Sequence, residues 1–347
     1  MHRCRSFRAR SLTVAVAIAR LSHTEIPVLS PAMPAQDPLL MKLVPEDRRF
    51  QYVQADDDAG SLHMVDTWVK LSDLARNARF NANANTRFHL FTRQNPSNSQ
   101  VLVINNAASV RSSNFRANRR TVVTIHGWMG SATSGCNRQL VPAYLAGEDV
   151  NVIVVDWSAG NTWGPNAAPA ARAAANFINW LNRETGARVN QYHVIGFSVG
   201  GHAAGILGRA VSGTIEYITG LDPSARWEAN EIIRRNDGRY TEVIHTSAGI
   251  SGWQAPLTQV DFYPNGGNNM PGCGINAICN HERSFHYMAE SLRSGGFLGT
   301  RCNTHWDAYL GNCNAGGTLR MGGRQPKHGA TGIFFMRTRA SSPFSQG

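Results

Sequence analysis

From Arg87 onward, short β-branched and aromatic runs alternate with clusters of Asn, Ser and Gly, the pattern of strands bounded by turns. The runs "RFHLFTR", "QVLVI" and "TVVTIH" (Thr121 to His126) come first, with no helical stretch between them, and predict strands pairing antiparallel at one edge of a sheet. "NVIVVDW" (Asn151 to Trp157) is almost wholly apolar, which suits a strand covered on both faces. The alanine-rich "PAARAAANFINWLNRE", closed by Gly186, predicts a helix of several turns. Beyond it come strand "QYHVIG", helix "VGGHAAGILGRAV", strands "IEYITGLD", "TEVIHT" and "QVDFYP", helix "ERSFHYMAESLRS" and a last strand "GIFFMRTR". Strands alternating with helices in the central half imply an α/β fold with a mostly parallel sheet covered on both faces. "NANANT" (Asn81 to Thr86) reads as a loop, and no internal repeat is visible.

Composition adds bounds rather than detail. At 347 residues, 42% hydrophobic and 16% charged, the chain is long enough to bury a large core and too apolar to be disordered. Residues 1–41 read as a leader or pro-segment with a linker, and 42–347 as one domain. The apolar stretch Ser11 to Ala19 behind Arg3, Arg5, Arg8 and Arg10 has the charge order of a signal peptide, although Arg20 closes it early. A transit peptide or a misassigned start fits the same residues. No apolar run is long enough to cross a bilayer. The net charge is +11, and removing roughly the first 35 residues leaves about +7, enough to draw the surface toward anionic lipid or acidic polymers. The cations are scattered, so nucleic acid is not an expected partner.

Four cysteines form two close pairs, Cys273 with Cys279 and Cys302 with Cys313, which suit local disulfides and an extracellular location. A zinc site using Cys279 and His281 is the rival, but the C-x5-C-x-H spacing matches no common zinc motif, and no metal is expected. Cys136 has no obvious partner and reads as a buried thiol.

The chemistry centres on "YHVIGFSVGGHAAG", Tyr192 to Gly205. Gly-x-Ser-x-Gly alone is weak, since roughly 0.2 matches arise by chance in a chain of this length and composition. Here it is the one match, lies directly after a strand and opens a helix. Ser198 would then sit on a strained turn that glycines at 196 and 200 make possible, its hydroxyl exposed at a helix N-terminus. A serine needs a base, and the base an orienting acid. Asp222 ends the next buried strand at the edge where ligands bind in open α/β sheets; turn initiation before Pro223 is its alternative role.

Several histidines compete for the base. His202 is too near Ser198 on the same helix, His245 falls inside a strand, His286 lies in a helix body, and His305 and His328 are later loop residues. His281, at the junction of a cysteine-anchored loop and a helix, leads. "TIHGWMG" (Thr124 to Gly130) ends a strand in His-Gly and a loop, where Trp128 would supply one oxyanion amide and Val199 the other. His126 precedes the serine in the chain and reads as a loop-stabilising residue.

In family order, "TIHGW", "VNVIVVDWSAG", "HVIGFSVGGHAAG", "YITGLDPSARW", "TEVIHTSAG", "VDFYPNGGNNMPGC" and "CNHERS" resemble the pancreatic-lipase family, nearest its insect neutral lipases and phospholipase A1 type members. The resemblance runs from about Leu43 to Thr338. It implies an α/β-hydrolase fold, a nucleophile at Ser198, an acid at Asp222, a base at His281, oxyanion amides at Trp128 and Val199, and no cofactor. Members that hydrolyse triacylglycerol efficiently carry a long lid between the cysteines matching Cys273 and Cys279; here only "GINAI" lies there. The loop from Ala225 to Arg239 is also compact and polar. With the chain ending soon after "GIFFMRTR", the C-terminal β-sandwich of many vertebrate members is expected to be absent.

The expectation is a secreted serine hydrolase releasing fatty acid from polar lipids, phospholipid or galactolipid, at a membrane, micelle or lipoprotein surface, with weaker triacylglycerol activity. The alternative is a non-catalytic lipid-binding protein, as in the family's yolk proteins, which keep the fold without the serine. A peptidase or small-molecule esterase on the same fold is a third reading.

Overall fold

In the computed structural model the described residues are 50–54, 62–66, 80–161 and 164–346, so the leader and linker expected over 1–41 lie outside them. β1 (Phe50–Gln54) and β2 (Leu62–Asp66) pair with each other as a two-stranded sheet.

The second sheet has eleven strands: β3 (Arg87–Phe91), β4 (Gln100–Leu102), β5 (Thr121–Ile125), β6 (Asn151–Asp156), β7 (Tyr192–Phe197), β8 (Tyr217–Leu221), β9 (Tyr240–Ile244), β10 (Val260–Pro264), β11 (Leu298–Cys302), β12 (Thr318–Arg320) and β13 (Gly332–Met336). Their order is β12-β11-β13-β10-β9-β8-β7-β5-β6-β3-β4. The seven strands from β13 to β6 run parallel. β3 and β4 pair antiparallel beside β6, as predicted, but β5, expected at the same edge, runs parallel between β6 and β7: a short helix over Ala107–Arg111 precedes it, and its wholly buried residues suit a strand covered on both faces. The opposite edge is antiparallel as well, through β11 and β12, whose short, glycine-containing or polar sequences give no alternating signal.

Helices cover both faces because successive strand residues point to opposite sides. Val123, Ile125, Ile153 and Val155 pack with α4 (Ala167–Thr185) and α5 (Val199–Ala210). Val122, Val152 and Val154 pack with α3 (Gly135–Gly147) and α6 (Ala277–Ser294). This is the α/β-hydrolase architecture. α4 stops at Gly186, whose φ of 75° ends the helix as expected.

Three local features depart from the apolar pattern. "NANANT" forms a single turn, α1 (Ala82–Asn85), because the Asn81 side chain accepts from the Ala84 amide. α3 carries Pro142 in its interior. α6 begins five residues before its predicted stretch, because Asn276 caps it by accepting from the Ile278 and Cys279 amides at 3.1 Å each. The short helices α2 (Ala107–Arg111) and α7 (His305–Leu310) complete the set.

Both expected disulfides are formed, Cys273–Cys279 and Cys302–Cys313, and Cys136 is buried outside them. On β9, buried Glu242 accepts from the Tyr217 hydroxyl (2.5 Å), the Tyr240 hydroxyl (2.7 Å) and the Lys327 ammonium (2.5 Å). That ammonium also lies 5.4 Å from the Tyr217 ring centroid and 5.2 Å from that of Tyr240, within cation–π range. One buried ion pair thus ties the segment before β13 to the sheet.

The strand order reverses around β5, which has β6 on one side and β7 on the other. Open α/β sheets bind ligands in the crevice this reversal creates, at the carboxyl ends of the strands.

Candidate active site

β7 delivers the chain into that crevice. Ser198 stands between β7 and α5 with φ 58° and ψ −123°, a conformation costing on the order of 1–3 kcal/mol outside glycine. The turn closes only without side chains at its flanks. A Cβ at residue 196 would run into the Gly200 carbonyl, and one at residue 200 into the Ile125 and His126 carbonyls. Ser198 is tied to the end of β8: its amide donates to the Leu221 carbonyl (3.0 Å), and its carbonyl accepts from Ser224 (3.2 Å).

β5 delivers the facing loop. A Cβ at Gly127 would lie 3.2 Å from the Ser198 Cβ, so the His-Gly-Trp segment passes beside the serine. Buried His126 holds it: Nδ1–H donates to the Gly127 carbonyl (2.9 Å) and Nε2 accepts from the Trp157 amide (3.2 Å). With both nitrogens engaged and its ring stacked on Trp157, His126 is a loop-stabilising residue. Neither the Trp128 nor the Val199 amide donates to an acceptor among the described residues.

Asp222 follows β8 with φ 43° and is fully buried. Its Oδ1 accepts from the Thr246 and Ser247 amides, at 2.7 and 3.0 Å. Its Oδ2 accepts from the Ser247 hydroxyl and from His281 Nδ1–H, the latter at 2.5 Å. Gly252 packs so closely on the carboxylate that a side chain there would overlap it. His281 lies in the second turn of α6, not at a loop junction as its sequence suggests, because the Asn276 cap starts the helix early. Its carbonyl accepts from Thr246 Oγ1 (3.2 Å), and its ring centroid lies 4.6 Å from that of Phe197, the residue before Ser198.

The fold therefore brings Asp222 and His281 into direct contact and sets Ser198 beside them. Among the described residues no hydrogen bond joins Ser198 Oγ to His281. Thr246 and Ser247, which hold the acid, lie in the family-like run "TEVIHTSAG", but nothing in that run or at Gly252 ties them to Asp222 in the sequence.

Three of the competing histidines are bound elsewhere, His286 lies within α6, and His305 opens α7 rather than lying in a loop. His245 lies just past β9, between the Trp253 carbonyl (2.9 Å) and Asp261 (3.0 Å). His328 pairs with Glu216 at 2.7 Å. His202 donates to the Ser224 carbonyl (2.9 Å) and accepts from the Ile233 amide (3.1 Å) beneath the serine turn. Burial disfavours the His202 imidazolium more than the Ser224 carbonyl favours it, and its pKa falls from 6.5 to about 4. Since the unfolded chain then binds the extra proton between pH 6.5 and 4, stability rises with pH across that window, by roughly 3 kcal/mol from this group. Urea unfolding at pH 6.5 and 4.5 should show the loss on acidification, reduced in His202→Gln. An equal loss in that variant would refute the assignment.

The rim is short and pinned. Five residues separate Cys273 from Cys279, with Ile275 among them 73% exposed. The loop after Ala225 is held by Arg209, which donates to Asp237 (2.6 Å) and the Ile232 carbonyl (3.2 Å). Among the described residues no three His, Cys, Asp or Glu side chains are placed to hold a metal, and no helix is long and apolar enough to cross a membrane.

The sequence matches the family profile described as Lipase over residues 60–344. It is 33% identical over 304 residues to pancreatic triacylglycerol lipase of Sus scrofa and 34% over 276 to that of Homo sapiens. Identity to pancreatic lipase-related protein 2 of Bos taurus is 35% over 301 residues. These matches cover 75, 69 and 74% of this chain but 67, 59 and 64% of the relatives, so the chain spans about two thirds of their length or less.

Proposed function

Because the chain belongs to the lipase family, we propose that it hydrolyses carboxylic esters of lipids, with Ser198 as nucleophile, His281 as base and Asp222 as the acid that orients it. The observation that supports this best is the Asp222–His281 bond formed beside a serine held at φ 58°. His281 Nε2 takes the proton as Ser198 Oγ attacks the acyl carbonyl, and the Val199 and Trp128 amides receive the negative oxygen. The imidazolium returns that proton to the departing alcohol, leaving an acyl-serine. Water, deprotonated by the same histidine, then attacks the acyl-serine, and the imidazolium returns that proton to the departing Ser198 Oγ, releasing fatty acid and the free enzyme. No step uses a cofactor.

The lipid is proposed to carry a polar head, phospholipid or galactolipid, presented at a membrane, micelle or lipoprotein surface. A disulfide-closed loop of five residues cannot uncover a large apolar area for an oil droplet, and the 225–239 rim is fixed by ion pairs. Two disulfides in the chain favour an extracellular setting.

Fatty-acid release from phosphatidylcholine, galactolipid and emulsified triolein tests both levels. Faster release from the polar lipids is expected. Preference for triolein would refute the role given to the short loop, and release from none would favour the non-catalytic alternative.

A further inference from the structure

We propose that Ser247 is a positioning residue for the acid–base pair. This rests on the reading of Ser198, Asp222 and His281 as the catalytic set. Ser247 is fully buried, and both its polar donors serve one carboxylate: the amide reaches Asp222 Oδ1 at 3.0 Å and the hydroxyl reaches Oδ2. The same hydroxyl lies 3.3 Å from His281 Nδ1. It therefore touches acid and base at once, at the oxygen they share. Thr246 repeats the coupling through the backbone, its amide on Asp222 Oδ1 (2.7 Å) and its hydroxyl on the His281 carbonyl (3.2 Å). The Thr-Ser pair after β9 is thus a clamp, closed from the other side by Gly252, whose amide donates to the Ser247 carbonyl (3.0 Å).

Two consequences follow for the reaction. The hydroxyl fixes which way the carboxylate faces, and with it the direction of the imidazole. It also donates to the charged carboxylate, and a carboxylate relieved of one donor is more basic and holds the neighbouring imidazolium more strongly. A more strongly held imidazolium cannot accept the serine proton until higher pH. The other ionisable groups near His281 are Glu282 and Arg283 on its own helix, and, beyond Thr246, His245 and Asp261, which bind each other. Arg283 donates to the Ala340 carbonyl (3.0 Å), and buried Tyr263 also feels the Asp222 charge, but the Asp222 carboxylate is itself bound by Thr246, Ser247 and His281, so the limb reports the clamp.

The test is inactivation by diethyl p-nitrophenyl phosphate followed from pH 4.5 to 8. In that reaction Ser198 Oγ bonds to phosphorus, p-nitrophenolate leaves and His281 takes the serine proton. In Ser247→Ala the plateau rate should fall by about ten- to a hundredfold through misalignment. The half-maximal point of the acid limb should rise by about half a pH unit or more. Ser247→Thr, which keeps the hydroxyl, should hold the wild-type limb. Thermal unfolding of each variant identifies loss of folded protein, which lowers the plateau without moving the limb. An acid limb in Ser247→Ala that stays put or moves down overturns the proposal whatever the rate does. Ser198→Ala separates the levels: undiminished reaction there overturns the nucleophile reading and this proposal with it, whereas a silent Ser198→Ala with an unmoved Ser247→Ala limb overturns this proposal alone.

Discussion

Ser198→Ala is expected to lower ester hydrolysis by about 10⁴- to 10⁶-fold while leaving the unfolding midpoint nearly unchanged. The substitution deletes one oxygen from a site whose other parts are independently held. Asp222 is fixed by the Thr246 and Ser247 amides, and His281 by Asp222 and Thr246. Alanine meets the same backbone demand at φ 58° as serine, so no strain is added or relieved by a change of Cβ. What remains after the change is binding and oxyanion stabilisation, which act on water far less effectively than on a positioned alkoxide. Fatty-acid release and organophosphate labelling measure the effect. A variant retaining a tenth of wild-type activity would place the nucleophile elsewhere.

Lys327→Ala should be the most damaging single change away from the site, costing about 3–5 kcal/mol. It strands the Glu242 carboxylate, buried on β9 with only the Tyr217 and Tyr240 hydroxyls as partners. It also removes the cation lying over two tyrosine rings and frees the segment before β13. The cost comes from the uncompensated charge, so Glu242→Gln combined with Lys327→Met should recover most of it. Denaturant unfolding of the single and double variants checks this. A double variant as unstable as the single one would show that lost packing, not stranded charge, is responsible.

Much of the site is legible in the sequence because it is built at strand ends, where a run of apolar residues stops abruptly. Asp222 and the 196–200 turn are marked in this way, and the His-Gly-Trp loop likewise. His281 leads the other histidines by its place after a cysteine-anchored loop, and the family resemblance assigns it the base's position, but its place inside α6 depends on an asparagine cap five residues earlier. The clamp around Asp222 was not legible. Thr246 and Ser247 fall in the family-like "TEVIHTSAG" without any sign of what they touch, Gly252 looks like an ordinary turn residue, and only the return of β9 alongside β8 brings them to the carboxylate. In the scaffold, the parallel centre follows from long apolar runs. α3 was hidden by Gly135 and Pro142, residues that normally interrupt helices. The second antiparallel edge was hidden because its strands are short and pair across long sequence separations.

The large sheet finishes at both sides in strands of only three residues, β4 and β12. A strand from a neighbouring molecule would find few unpaired backbone groups there before the chain turns away. Even Val101, 46% exposed on β4, sits on too short a ledge to template a growing ladder. For a protein proposed to gather at crowded lipid surfaces, this geometry has a colloidal consequence. Where copies are concentrated side by side, the large sheet offers them little edge along which to zip into fibres.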